Sequence, residues 1–183
     1  MALKATVFKI NLDISNIETH YYQTHSLTIA RHPSETNERL VIRLVAFALN
    51  ANEQLSFTKG LSTPDTPDLW QLSLSEEIEH WIDVGRPSEE HLRKAASKSE
   101  FVSVYCYGEN QADIWWEAIE NKLSRFSNMR IFRIDEKPLL PLTEHLSRSM
   151  DIQCTIDDTS LWLNFNNDNG DNISIEVTPK KLS

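Results

Sequence analysis

Two cysteines, no apolar run long enough to cross a bilayer and a shortage of basic residues restrict this chain before any motif is considered. Cys106 and Cys154 sit in VSVYCYG and DIQCTI, among strand-like apolar residues where a free thiol behaves as a small hydrophobe, so both read as buried thiols. No window approaches the ~20 apolar residues of a membrane helix. The N-terminal MALKATVFKINLDISN has neither a long apolar stretch nor a small-residue cleavage site, and a cytoplasmic location is expected. Lys and Arg number 18 against 27 Asp and Glu, a formal net charge of −9. Affinity for phosphate backbones comes largely from Lys and Arg displacing counterions, so a broad nucleic-acid surface is excluded and only local contacts remain. No repeat, low-complexity tract or linker divides the 183 residues, and one core is sufficient for that length, which predicts a single domain over 1–183.

What is present alternates between strand and helix signals. Residues 2–14 read as a strand covered on both faces, with Leu3, Ala5, Val7 and Lys9 on one side and Thr6, Phe8 and Ile10 on the other. Asp13, Ser15 and Asn16 supply turn formers, and HYYQTHSLTIA returns as the second arm of an N-terminal hairpin. His20 and His25, five apart, fall on opposite faces and read as solvated side chains rather than ligands. Ser34 then stands as N-cap of a helix over Glu35–Asn50, with apolar residues at 40, 41, 44, 45 and 48. Glu35 and Glu38 in its first turns suit the helix dipole.

QLSFT over 54–58 is a short strand, and Gly60, Pro64, Asp65, Pro67 and Asp68 make a turn-rich loop leading into LWQLSLS. In EEIEHWIDVG, period-two alternation puts Ile78, His80, Ile82 and Val84 on one face and Glu79, Trp81 and Asp83 on the other. Ser88 caps a second helix, FVSVYCYG is a buried strand, and QADIWWEAIENKLSRF is a third helix with Ile114, Trp115, Ala118, Ile119 and Leu123 as its apolar stripe. MRIFRID follows as a strand. SMDIQCTI, SLWLNF and NISIEV form a C-terminal antiparallel β extension over about 150–178, beyond a core over about 34–135. Its NNDNGDN segment lacks the closing Glu of a calcium loop and reads as a hairpin turn.

The order helix, strand, strand, strand, helix, strand carries Glu38 on the helix and Asp68 and Asp83 at two successive strands. Carboxylates so placed are what a metal-dependent phosphodiesterase needs, since two or three must converge on a divalent cation that polarises phosphate and lowers the pKa of the attacking water. Without a cation, unit charges ~5 Å apart repel by ~3 kcal/mol at an effective dielectric of ~20.

RHPSETNERLVIRLVAFAL, FTKGLSTPDTPDLW, IEHWIDVGRP, LRKA and the paired Trp115 and Trp116 resemble the YaeQ family of bacterial proteins over essentially the whole chain. The resemblance implies a mixed α/β fold, a restriction-endonuclease-like mixed sheet flanked by helices and a variation on the PD-(D/E)XK nucleases; it implies fold more than activity. Carried over residue by residue, Glu38 matches the first-helix carboxylate, Pro67 and Asp68 the PD step, and Asp83 the acid on the next strand, together holding Mg²⁺ or Mn²⁺. Gly85 stands where the motif has a lysine, and Lys94, which shares a helix face with His91 and Lys98, is the displaced substitute. The first expectation is therefore a Mg²⁺- or Mn²⁺-dependent nuclease or phosphodiesterase with Lys94 balancing phosphoryl charge. The alternative is an inactive binding or regulatory module that keeps the fold. Nucleic acid would be met by local patches, Arg31, Arg39 and Arg43 or Arg86, Arg93, Lys94 and Lys98.

Overall fold

The structure, a computed structural model, describes residues 4–59 and 65–183. In chain order the elements are β1 (Thr6–Asn16), β2 (Tyr21–Arg31), α1 (Asn37–Leu49), β3 (Leu55–Phe57), β4 (Leu69–Leu72), β5 (Ile78–Val84), α2 (Glu89–Lys98), β6 (Ser99–Cys106), α3 (Glu109–Leu123), β7 (Met129–Arg133), α4 (Leu140–Glu144), β8 (Ser149–Asp157), β9 (Ser160–Asn166), β10 (Asn172–Val177) and β11 (Lys180–Lys181). A 3-10 turn at Lys137–Leu139 precedes α4. The fold is mixed α/β, and among the described residues it holds two mixed sheets and four α-helices. No helix among them is long and apolar enough to cross a membrane. The described chain gathers into two compact units, one from the residues up to Ala51 with Glu136–Pro179, the other from Asn52–Asp135 with Lys180–Ser183. Gly60 and Pro64 of the turn-rich loop, and the start of the strand expected over 2–14, lie outside the described residues.

In the first unit the sheet order is β10-β9-β8-β1-β2. The hairpin expected at the N-terminus is β1 against β2, with Thr6 opposite Arg31 and Asn16 opposite Tyr21. The three C-terminal strands are also present, but they are no separate extension. β8 runs parallel to β1 from Lys9 and Ser149 to Asn16 and Ile156, closing both ends of the chain into one five-stranded sheet. β1 is covered on one face only: Phe8, Ile10, Leu12 and Ile14 are buried while Val7 is 46% exposed. The polar residues between them, Lys9, Asn11 and Asp13, decide which face meets water. The NNDNGDN segment is the expected hairpin turn, closed by the Asn167 N–H on the Asp171 carbonyl at 3.0 Å, with Gly170 at φ 84°.

α1 begins two residues later than the sequence suggests. Thr36, not Ser34, is the N-cap, accepting the Arg39 N–H at 3.2 Å, while the Ser34 hydroxyl bonds His32 Nδ1 at 2.6 Å. The shift leaves Glu35 outside the helix and buried at 6% exposure rather than in a solvated first turn. Its carboxylate receives Arg43 Nη1 at 3.1 and 3.0 Å and Arg39 Nη1 at 2.9 Å, so the i, i+4, i+8 spacing runs a charge cluster along one side of the helix. Arg43 also reaches the Ala30 carbonyl at the end of β2, and Phe47 meets the ring of His25 edge-on at 5.1 Å. His25 is thus half-buried and packed, with its Nε2 also 2.8 Å from the Tyr21 hydroxyl, not solvated as its spacing suggested.

The second unit has the order β11-β7-β6-β5-β4-β3. β5, β6 and β7 are parallel and joined by α2 and α3, the helical crossovers that parallel neighbours require. β3-β4-β5 and β7-β11 are antiparallel. Leu92 and Ala95 of α2 and Ala112, Ile119 and Leu123 of α3 pack with Trp81, Val102, Val104 and Ile131 of the strands. The α3 stripe is rotated from its expected position, since Ile114 is 67% exposed and Ala118 is also on the surface, while Trp115 and Trp116 are partly buried. Both cysteines are buried and free as expected, and burial pushes the Cys106 thiol up to about 11 and that of Cys154 to about 12.

Removing one member of a buried ion pair leaves an uncompensated charge and costs roughly 3–5 kcal/mol. Glu35→Ala is expected to lower the urea-unfolding free energy by that amount, and Glu35→Leu with Arg43→Met to recover most of it. A loss under about 1 kcal/mol in the single variant would contradict the cluster's structural role.

Candidate functional site

Asp68 enters the sheet directly behind Pro67, whose carbonyl accepts the Thr58 hydroxyl and so fixes the approach to β4. β4 then pairs with β5, Leu69 opposite Ile82 and Trp70 opposite Trp81. The Asp68 N–H donates to the Ile82 carbonyl at 3.0 Å, and the Val84 N–H donates back to Asp68 Oδ2 at 2.8 Å. Asp83 lies between those two contact points on β5. Trp81 and Asp83, two apart on one strand face as alternation requires, are joined by an indole Nε1–H bond to Asp83 Oδ2 at 2.8 Å. His91 Nε2 lies 2.9 Å from the same oxygen, and its ring meets that of Trp81 edge-on at 5.6 Å.

Helix α2 places this histidine. Ser88 caps it as the sequence predicts, its hydroxyl accepting the His91 N–H at 3.2 Å, so the imidazole leaves the first turn toward β5. Asp68 and Asp83 are each only 5% exposed. Burial pushes the Asp83 carboxyl above its usual range; the hydrogen bond and charge of His91 oppose this, the negative charge of Asp68 adds to it, and the Trp81 bond opposes it. The expected face for Asp83 is therefore correct but its environment is not that of a surface acid, because the same face carries Trp81 into the core beneath α2.

Of the residues expected in the site, Asp68 and Asp83 come together on adjacent strands. Glu38 is half-buried in the first turn of α1, in the first unit. Lys94 lies one turn beyond His91 with its side chain 51% exposed, Nζ 3.2 Å from Glu90 and 3.8 Å from Asp65 in the loop that leads to Asp68. The arginines proposed for nucleic acid are engaged within the fold. Arg31 bonds Asn37 and lies 5.7 Å from the Phe8 ring centre, Arg39 pairs with Glu35, and Arg86 donates to the Tyr107 carbonyl at 2.7 Å and to Gln111 at 2.8 Å. Among the described residues no group of three or more His, Cys, Asp and Glu side chains is placed to hold a metal ion. Trp81 and His91 are the site residues that sequence reasoning passed over. Their signals were there, an i, i+2 relation to Asp83 and an i, i+3 relation to Lys94, but both also describe ordinary core and surface stripes.

Gly85 stands where the resemblance led to the expectation of a lysine. Its φ of 110° is one that L side chains rarely adopt, while a Cβ there would meet only Tyr107 Cε1 at 3.9 Å, so backbone conformation rather than crowding reserves the position for glycine. On the opposite face of β5, His80 Nε2 lies 2.8 Å from the Ser103 hydroxyl, and burial lowers its pKa from 6.5 to about 4. Ser103 is itself only 2% exposed, which makes this pair part of the packing rather than a nucleophile and base.

Fold and site together define a mixed α/β protein with two buried carboxylates, one at the entry to β4 and one on its antiparallel neighbour β5, the latter bonded by a histidine from the first turn of a crossover helix. Comparison with known proteins gives the family. The sequence profile described as YaeQ protein matches residues 1–176, and the chain belongs to the YaeQ family. It is 36% identical over 178 residues to the uncharacterized protein YaeQ of Salmonella typhi and 35% identical to that of Escherichia coli K12, covering 97% of both chains in each case. The crystal structure of the YaeQ protein from Xanthomonas axonopodis pv. citri superposes with a TM-score of 0.89 at 38% identity, over 98% of each chain. That from Pseudomonas syringae gives 0.89 at 31% identity, over 98% of this chain and 96% of the other.

Gly85→Lys is expected to destabilise by about 1–3 kcal/mol through its backbone alone, read as a lower urea midpoint; an unchanged midpoint would show that the turn tolerates a side chain. His80 binds its proton more tightly when unfolded, so its contribution to stability is complete above pH 6.5 and is lost as pH falls toward 4. The stability difference between wild type and His80→Gln is expected to shift against wild type by about 3 kcal/mol from pH 7 to pH 4, and a difference independent of pH would contradict the buried neutral imidazole.

Proposed function

We propose that Asp68 and Asp83 hold a divalent cation, Mg²⁺ or Mn²⁺, and that the second unit is a weak metal-dependent phosphodiesterase of the nuclease type. The observation that carries this reading is the burial of two neighbouring carboxylates, Asp83 being pushed above its usual range first by burial and to a lesser degree by the charge of Asp68. Hard carboxylate oxygens are the donors these cations prefer. The donor set fits in another respect: Asp83 takes both His91 and Trp81 on Oδ2, and Oδ1 is its oxygen for a cation. The element order α1-β3-β4-β5-α2-β6 supports the PD-(D/E)XK comparison.

A cation bound there supplies Lewis-acid polarisation of a phosphoryl oxygen and an acidified water. His91 and Trp81 fix the Asp83 carboxylate in one orientation, and the Val84 N–H does the same for Asp68. Lys94, paired with Glu90 and 3.8 Å from Asp65 in the loop that leads to Asp68, would supply positive charge where phosphoryl charge develops. Its exposure and its place on a helix make it less preorganised than a strand lysine at position 85, and loss of a preorganised cation costs a few kcal/mol of transition-state stabilisation. A second reading, a binding module without chemistry, is favoured by Gly85 and by the protein hydrogen bonds both carboxylates accept.

At a Mn²⁺ concentration ten times the dissociation constant, the melting temperature is expected to rise by roughly 3–6 °C in wild type and not in Asp68→Asn with Asp83→Asn. Slow Mn²⁺-dependent cleavage of single-stranded DNA, duplex DNA or RNA is expected to vanish in Asp83→Asn and to fall in Lys94→Ala. A melting shift without cleavage would select the binding module; an equal shift in the double variant would remove the site.

A further inference from the structure

The outward face of the five-stranded sheet in the first unit is unlike one that only needs to be wetted. A trough of about 540 Å³ runs across it, and more than half of the residues lining it are Asn or Asp, with no Lys or Arg among them. Asn and Asp are depleted in strands, where Thr would serve solubility at lower cost to the backbone. Strand register aligns Thr24, Asp13, Gln153, Asn164 and Ser174 in one row across all five strands. The next row runs from Tyr22 through Ser15 and Thr155 to Trp162, placing two aromatic rings beside the polar row, with Tyr22 61% exposed.

The edges of the trough are held by hydrogen bonds between its own side chains. Thr24 donates to Asp13 at 3.0 Å, Ser26 to Asn11 at 3.0 Å, Asn11 to Asp151 at 2.7 Å and Asn172 to Asn166 at 3.2 Å. At its centre the side-chain amides of Gln153 and Asn164, paired in register, make no hydrogen bond to another described residue. The rim is thus preorganised, and the two central amides offer donors and acceptors to whatever enters.

We infer that this trough binds a neutral carbohydrate. An amide presents a donor and an acceptor side by side, which matches adjacent sugar hydroxyls, and aspartate oxygens accept hydroxyl protons. Tyr22 and Trp162 supply amphipathic rings at the margin, against which the C–H face of a sugar packs. The missing Lys and Arg exclude phosphorylated or sulfated ligands, and the polar lining excludes an apolar protein surface.

The test is calorimetric titration of the full chain with maltohexaose, cellohexaose and chitohexaose, with a heparin hexasaccharide as anionic control. At least one neutral oligosaccharide is expected to bind and the heparin fragment not to. Gln153→Ala with Asn164→Ala removes groups that bond only ligand, so it is expected to leave the melting temperature unchanged and weaken binding roughly tenfold or more. Trp162→Phe is expected to retain binding. Failure of all three neutral sugars at millimolar concentration, undiminished binding in the double variant, or preference for heparin would each overturn the inference. Asp68→Asn with Asp83→Asn is expected to bind sugar as wild type does, which separates this face from the cation site.

Discussion

Two acids that repel each other are buried across one pair of strands, and the second unit is built to tolerate them. Asp68 and Asp83 are both nearly inaccessible to solvent. Unpaired buried charge costs several kcal/mol, so every nearby dipole counts. The Val84 N–H meets one carboxylate, and the Trp81 indole and His91 meet the other. Those contacts in turn require the β4–β5 register, the Pro67 entry into β4, the Ser88 cap that turns His91 inward, and the left-handed Gly85 that ends β5. Changing any of them alters how much repulsion the pair must bear.

The first unit buries charge differently. Glu35, just before the cap of α1, is paired with two arginines of that helix, so its buried negative charge is more than matched by opposite charge. That difference matters for function. A carboxylate paired with guanidinium groups anchors a helix, whereas two neighbouring buried carboxylates raise each other's cost of ionisation, which is the basis of the cation proposal. The arginines expected as local nucleic-acid patches also have partners inside the fold: Arg31 bonds Asn37, Arg39 bonds Glu35 and Arg86 bonds Gln111.

Local signals were legible in the sequence and long-range ones were not. The Ser88 cap, the alternation that sends Trp81 and Asp83 to one face, the β1–β2 hairpin and the turn at Gly170 all depend on residues a few positions apart, and all are found. The parallel pairing of β1 with β8 joins residues 140 apart and left no periodic mark, so the two ends of one sheet read as separate additions. α1 shows a subtler limit. Ser34 and Thr36 are both good caps, and the choice between them rests on the burial of Glu35 against Arg43, which no local pattern reveals. Asp68 and Asp83 were singled out because each falls at one of two successive strand signals, a pattern legible within a few residues of each. His91 was not, because its spacing on α2 equally describes a solvated stripe.

Membership of the YaeQ family rests on similarity along the whole chain; the proposed cation site rests on the carboxylate pair. The most direct measurement is anomalous scattering from a crystal of this protein soaked in millimolar Mn²⁺. The carboxylate account predicts a difference peak bridging Asp68 and Asp83 in wild type and its loss in Asp83→Asn. A map without density between those carboxylates, in crystals that take up Mn²⁺ elsewhere, would contradict it.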